Sequence, residues 1–287
     1  MHQISDAFRK WRTGSRSARP RAVVAVFVCL MAVATPARAQ TATYAWMPAG
    51  AAGTRADTLA SRISPPPGFS RTPASAGSLA DWLRGLPMKP AGAPVLLYTG
   101  AHKMRQDVHA AVVDIDTGSR DLQQCADAIM RLRAEWLWST GRRGEIGFNY
   151  TDGKRRSLPK AGRSDYRAFR KYMDLVFAYA GTYSLERELQ PVAAADIAIG
   201  DVFIKGGFPG HAVLVADMAV NAAGEKRFLL VQSFMPAQDI HVLKPPAGHA
   251  GSGSARSDVS AWYATPISFP FVTPEWTFPE GSLKRWP

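Results

Sequence analysis

One cysteine and one histidine carry the strongest chemical signal in this sequence. Cys125 lies in the stretch RDLQQCADAIMRLRAEWLW, near the predicted start of a helix, where the helix amides favour the reactive thiolate. His211 opens the apolar stretch HAVLVAD, directly after Pro209 and Gly210. A thiol next to an imidazole base is the arrangement of cysteine hydrolases. The pair predicts nucleophilic catalysis if the fold brings Cys125 and His211 into contact.

A third polar residue could orient the imidazole. Gln232 interrupts the apolar run FLLVQSF, and a buried amide costs free energy unless it is hydrogen-bonded. Gln232 is therefore a candidate orienter, and Asp217 is the alternative. Two simpler interpretations stay open, since Cys125 could be a packed core thiol and Gln232 a satisfied core amide.

Weaker candidates surround this predicted site. Asp114 and Asp116 in VDID could bind a cation, although a strand end running into a turn explains them as well. Gln123 and Gln124 could donate to an oxyanion beside Cys125. We expect no metal and no other cofactor.

The N-terminal residues predict export. Six basic residues between positions 9 and 21 precede the apolar run AVVAVFVCLMAVA, and Ala37 and Ala39 form a small-residue cleavage site. We expect a signal peptide at 1–39, cleavage after Ala39, and a periplasmic or secreted protein. Cleavage would remove Cys29 and leave Cys125 as the single cysteine. The net charge of +12 would fall to +6, because the segment holds seven basic residues and one acid.

The remaining sequence predicts one domain after a leader. Residues 40–77 are rich in Ala, Gly, Ser and Pro and predict an extended leader. Residues 78–287 predict a single domain with a flexible insertion at 245–258. The remaining sequence contains no second long apolar segment, so we expect no membrane span. It contains no basic cluster with interleaved aromatic residues, so we expect no nucleic-acid binding.

Hydrophobic periodicity predicts helices followed by an antiparallel sheet, which is an α+β fold. In the first helix, a stripe through Cys125 and Ile129 faces the core, with Arg131 and Glu135 off the stripe and Asp121 as N-cap. Ser184 is the expected N-cap of the third predicted helix, at 184–192. The predicted helices are 120–138, 165–181 and 184–192. The predicted strands include 93–100, 110–118 and three later strands, in GDVFIKGG, GHAVLVADMAV and KRFLLVQSF.

Two resemblances add to this interpretation. GDVFIKGGFPGHAVLVAD resembles the segment of NlpC/P60-type cysteine peptidases in which a strand histidine meets a helix cysteine. This resemblance implies a papain-like helix against an antiparallel sheet, with the helices at 165–191 as insertions. It also implies roles for Cys125, His211 and a polar residue on the next strand.

The second resemblance spans nearly all of the expected mature chain. PPPGFSR, WLRGLPMKP, DLQQCADAIMRLRAEWL, YAGTYSLERELQPV and LLVQSFMPAQDIHVLK resemble the bacterial family catalogued as domain of unknown function 4846. That family implies no activity. Two hypotheses therefore remain: a cysteine-dependent hydrolase of peptides or cell-wall peptides, or a non-catalytic binding or maintenance domain of the envelope on a papain-like scaffold. The oligomeric state stays open.

Overall fold

A computed structural model describes residues 44–47, 57–246 and 261–287. The predicted signal peptide at 1–39 lies outside these residues, as do part of the predicted leader and residues 247–258 of the predicted insertion. All described residues belong to one compact unit.

The helices predicted at 120–138, 165–181 and 184–192 are all present among the described residues, but their ends differ. Gln124, not Asp121, is the N-cap of the first long helix, so Cys125 is its first residue. Asp165 caps the next helix by accepting from the Arg167 amide. Gly181, not Ser184, precedes the third. The helices are α1 Leu59–Arg62, α2 Leu79–Arg84, α3 Cys125–Ser139, α4 Tyr166–Tyr179 and α5 Thr182–Glu188.

The described strands are mostly short. The predicted strand at 93–100 is absent, because a turn in which the Leu97 amide donates to the Ala101 carbonyl folds the segment back on itself. The strands are β1 Phe69–Arg71, β2 His109–Val112, β3 Gly147–Asn149, β4 Arg155–Ser157, β5 Gln190–Pro191, β6 Val202–Lys205, β7 His211–Asn221, β8 Lys226–Gln232, β9 His241–Leu243, β10 Trp262–Ala264, β11 Phe271–Val272, β12 Thr277–Phe278 and β13 Leu283–Arg285.

The hairpin of β7 and β8 is the centre of the main sheet. Nine of the described strands form this sheet, with the path β2-β9-β8-β7-β6-β13-β5, and every pairing is antiparallel. β1 pairs with the last three residues of β7, 219–221, and β10 pairs with residues 227–229 near the start of β8. Helices and a large antiparallel sheet together confirm the predicted α+β class.

Each face of the central sheet carries its own core. Ala212 and Leu214 of β7 lie in the larger core, which also contains Ile129 of α3. Val213 and Val215 lie in the smaller core on the opposite face, which the hairpin of β11 and β12 covers. Alternate residues of a strand point to opposite faces, so the sequence pattern of β7 correctly predicted a central strand buried on both sides.

The α3 helix is buried more completely than its apolar stripe predicted. Arg131 and Glu135, which the stripe left outside the core, have almost no solvent exposure. Their side chains bind each other at 3.0 Å, and the Tyr166 hydroxyl donates to Glu135 at 2.7 Å. Arg131 also donates to Gln123 and to Asp116. Buried charges are retained here because partners on other segments satisfy them.

A register shift in β7 moves Asp217 away from the predicted site. A bulge lies between Val215 and Asp217, and it turns the Asp217 carboxylate toward α2. Arg71 and Arg84 each donate to this buried carboxylate at 2.6 Å. Asp217 therefore ties β1 and α2 to the sheet and does not orient His211, which corrects that alternative.

We predict that Asp217→Ala destabilises the fold by about 3–5 kcal/mol, because removing one member of a buried ion pair leaves the other charges without a partner. Urea unfolding measures the change. Asp107→Ala is the matched control, since Asp107 pairs with Arg105 on the surface and such pairs contribute about 1 kcal/mol or less. Equal losses in the two variants would contradict the structural role of Asp217.

Candidate functional site

Cys125 begins α3 and lies on the helix-covered face of the sheet. Its side chain is 5 % exposed, and its Sγ lies 4.0 Å from the Gly210 carbonyl oxygen. The neighbouring helix residue Ala126 shares the larger core with Ala212. The thiol is therefore beside the start of β7, as predicted, but it approaches the backbone of that strand.

His211 lies on the other face of β7. Its ring centroid is 5.9 Å from that of Phe278 and 5.3 Å from that of Trp276, which belong to or pack against the smaller core. His211 follows the same alternation as Val213, opposite to Ala212. The structure therefore does not bring the thiol of Cys125 and the imidazole of His211 together, because the sheet separates the two side chains.

Gln232 does contact His211, as predicted. The Gln232 Oε1 accepts from the His211 Nε2 at 2.8 Å, and the Gln232 Nε2 donates to Glu275 at 2.6 Å. Lys103 donates to both oxygens of Glu275. Burial lowers the pKa of His211 to about 4, so the ring stays neutral in this network. The arrangement satisfies a core amide and supplies no base to Cys125.

The other weak candidates are occupied elsewhere. Asp116 binds Arg131 and Arg170 at 2.8 and 3.1 Å, so its oxygens are not arranged for a cation shared with Asp114. Gln124 donates to Asp121. Among the described residues, no group of three or more His, Cys, Asp and Glu side chains is placed to hold a metal ion.

The environment of Cys125 opposes thiolate formation. Burial, followed by the nearby Asp127 carboxyl, raises the pKa of Cys125 to about 12. Backbone amides of Ala126 and Ala212 act in the opposite direction, but their effect is smaller. The predicted benefit of the helix terminus is present, and loss of solvent outweighs it.

Cys125 nevertheless lines a cleft of about 420 Å³ at the start of α3. The opposite wall is the turn at 207–210, which includes Phe208, and the floor includes Thr182 of α5. The turn at 207–210 can lie close to α5 because residue 210 is glycine. A Cβ at Gly210 would overlap the Thr182 Oγ1. Sequence reasoning identified Cys125 but missed the cleft, which forms from segments distant in sequence.

Asp127 is a second polar group of the cleft that sequence reasoning missed. Its side chain is 6 % exposed, and its Oδ2 accepts from the Gln124 amide at 3.1 Å. Its Oδ1 has no hydrogen-bond partner among the described residues. Burial raises the pKa of Asp127 well above its ordinary value, which favours the neutral carboxyl, a hydrogen-bond donor.

The rim of the cleft is apolar. Phe208 is 81 % exposed and Met235 is 38 % exposed, and both line the cleft. The Phe208 ring rests 5.9 Å from the Tyr183 ring. A polar floor below an exposed aromatic rim is typical of sites that bind small molecules or short peptides.

Comparison with protein families gives a match over most of the described residues. A family model described as Domain of unknown function (4846) matches residues 59–160 and 158–285. No curated protein and no solved structure matches the chain. Within the described residues, no helix is long and apolar enough to cross a membrane.

We predict that Cys125 resists thiol reagents in the folded protein. With a pKa of about 12, little thiolate exists at pH 8, so the reaction should be about a hundredfold or more slower than that of an ordinary thiol. A disulfide reagent monitored by absorbance measures the rate in a Cys29→Ser background, where Cys125 is the single thiol. Full reaction in urea is the control. Rapid reaction of the folded protein would contradict this prediction and favour the nucleophile hypothesis.

Proposed function

The chain belongs to the family of domain of unknown function 4846, and we propose that it is a non-catalytic peptide-binding domain of the cell envelope. Its binding site would be the cleft at the start of α3. The scaffold would keep the papain-like arrangement of a helix against an antiparallel sheet without a cysteine–histidine pair. The proposed export, through the segment 1–39, would place the domain beside cell-wall peptides.

One observation carries this proposal. The Asp127 carboxyl has an Oδ1 without a partner among the described residues, in a cleft whose rim carries the exposed Phe208. A buried polar group without a partner costs about 1–3 kcal/mol, and a ligand that accepts a hydrogen bond from it would recover this cost.

The chemistry of the cleft suggests the ligand class. The amino end of α3, a helix of 15 residues, is the positive end of its dipole, and it favours a carbonyl or carboxylate oxygen. Asp127 would donate to the same oxygen. Phe208 and Met235 would cover an apolar side chain. A peptide provides both an oxygen acceptor and an apolar side chain.

The hydrolase hypothesis predicts a different outcome for the same cleft. Soluble stem peptides released from cell-wall peptidoglycan are the probe for both hypotheses. Binding without cleavage supports the binding domain. Cleavage that disappears in Cys125→Ala would contradict the binding domain and support a cysteine hydrolase. Absence of binding at millimolar peptide would contradict both hypotheses for stem peptides.

We predict that Phe208→Ser weakens binding of the stem peptides about tenfold, because an aromatic contact at a ligand rim contributes about 1 kcal/mol or more. Isothermal titration calorimetry measures the affinity. Leu175→Ser is the matched control, since Leu175 is an exposed apolar residue of α4 outside the cleft, and its affinity should equal that of the parent. Equal weakening in both variants would contradict a role for the rim.

We predict that Asp127→Ala weakens binding about tenfold, whereas Asp127→Asn stays within about threefold of the parent, because an amide can still donate from the same position. The same titration measures both, with thermal unfolding as the check on folding. Equal weakening by the two substitutions would contradict the role of Asp127 as a hydrogen-bond donor to the ligand. Unchanged binding in Asp127→Ala would show that Asp127 only caps α3 and does not contact the ligand.

A further inference from the structure

The ionisable side chains that line the Cys125 cleft, other than its thiol, are all acidic. Asp121 and Asp127 line the cleft, and no lysine, arginine or histidine is among the described residues that do so. Asp121 is exposed to solvent, whereas Asp127 is buried. The side chains that line the cleft therefore give it a negative charge through Asp121, whichever protonation state Asp127 adopts.

The Asp121 carboxylate is held in place by two neutral donors. Its Oδ1 accepts from the Ala237 amide at 2.7 Å and from the Gln124 Nε2 at 3.0 Å. Within the part of the chain that the structure describes, its Oδ2 has no hydrogen-bond partner and the carboxylate forms no ion pair. The adjacent cation, Arg120, is bound to Asp174. Asp121 therefore presents a positioned negative charge without a cationic partner.

The two acidic residues of the cleft lie close together, because both contact Gln124. Asp127 accepts from the backbone amide of Gln124, and Asp121 accepts from its side-chain amide. The bond from the Ala237 amide also holds Asp121 beside the segment that carries Met235 of the rim. The unpaired charge thus lies at the α3 end of the cleft, near both the Asp127 carboxyl and the apolar rim.

This charge distinguishes the two ends of a peptide. A peptide carboxylate would be repelled by Asp121 and would find no cationic side chain in the lining, whereas a peptide ammonium would be attracted. In the first residue of a peptide, the ammonium and the carbonyl are attached to the same α-carbon. That residue can therefore present a carbonyl to the start of α3 and an ammonium to Asp121.

We propose that the cleft selects the free amino end of a peptide, with the ammonium bound to Asp121. This inference rests on the proposed peptide-binding function and adds the end of the peptide that is recognised. The first carbonyl accepts from Asp127, and the first side chain packs against Phe208. Because Asp121 is exposed, the ion pair supplies selectivity of about fivefold and not most of the affinity.

Two forms of one stem peptide test this selectivity, one with a free amino end and one acetylated there. Calorimetry with the full chain should show that acetylation weakens binding about fivefold at low salt, and that the difference shrinks in about 1 M NaCl, which screens exposed charges. Equal binding of the two forms at low salt would overturn the inference and leave the peptide-binding function intact. Binding of neither form would reject that function, and the inference with it.

The substitution Asp121→Asn assigns the selectivity to one carboxylate. An asparagine oxygen can still accept from Ala237 and Gln124, so the fold is kept while the charge is lost. The two peptide forms should then bind within about twofold of each other. Asp107→Asn is the matched control, since Asp107 pairs with Arg105 on the surface outside the cleft, and it should keep the parental selectivity.

Selectivity that persists in Asp121→Asn would overturn the assignment, because the acetyl group would then be rejected by its size and not by loss of the ammonium charge. Thermal unfolding checks that the variant is folded. If Asp121→Asn does not fold, the salt comparison on the parent decides, since a steric preference is independent of salt. A preference for the free amino end that is unchanged at high salt would overturn the inference.

Discussion

The alternation of side chains along β7 is the constraint on which the rest of the structure depends. Ala212 and Leu214 face the helices, while Val213 and Val215 face the hairpin of β11 and β12. A slip of one residue would exchange the two cores, and both are filled with apolar side chains. The alternation also decides the chemistry, because it sends His211 to the face opposite α3.

Polar groups survive in this interior because distant segments satisfy them. The Gln232 amide joins His211 to Glu275, and Glu275 binds Lys103. On the other face, Arg131 holds Glu135 and Asp116. These networks link loops to the sheet and to α3, and they explain polar residues that would otherwise indicate catalysis. Each network still contains a buried atom without a partner among the described residues, His211 Nδ1 in the first and Glu135 Oε2 in the second.

The two ends of α3 lie in different electrostatic environments. At its amino end, the thiol of Cys125 and the carboxyl of Asp127 are both buried, and desolvation favours the neutral form of each. At its carboxyl half, Arg133 keeps its charge between two indole rings. Burial therefore disfavours the charged forms at the amino end, whereas Arg133 remains a cation in contact with two indole rings. These properties favour binding over nucleophilic catalysis.

The sequence by itself determined the local elements and their class. The apolar period located α3 and α4, strand alternation identified β7 as central, and the family motifs all lie within the matched residues. These features depend on neighbouring residues, so a linear pattern contains them. The predicted start of α3 at 120 was five residues too early, because Asp121 is a preferred N-cap type whereas Gln124, the observed N-cap, is not.

Tertiary structure alone decided which side chains meet. The pairing of Asp217 with Arg71 joins residues 146 positions apart and depends on a bulge in β7. The contact of Lys103 with Glu275 spans 172 positions. The Cys125 cleft also forms from segments that are distant in sequence. A sequence pattern indicates that a residue is buried or polar, but the face of the sheet it occupies relative to Cys125 depends on strand pairing and register, and these are set only when the whole sheet has formed.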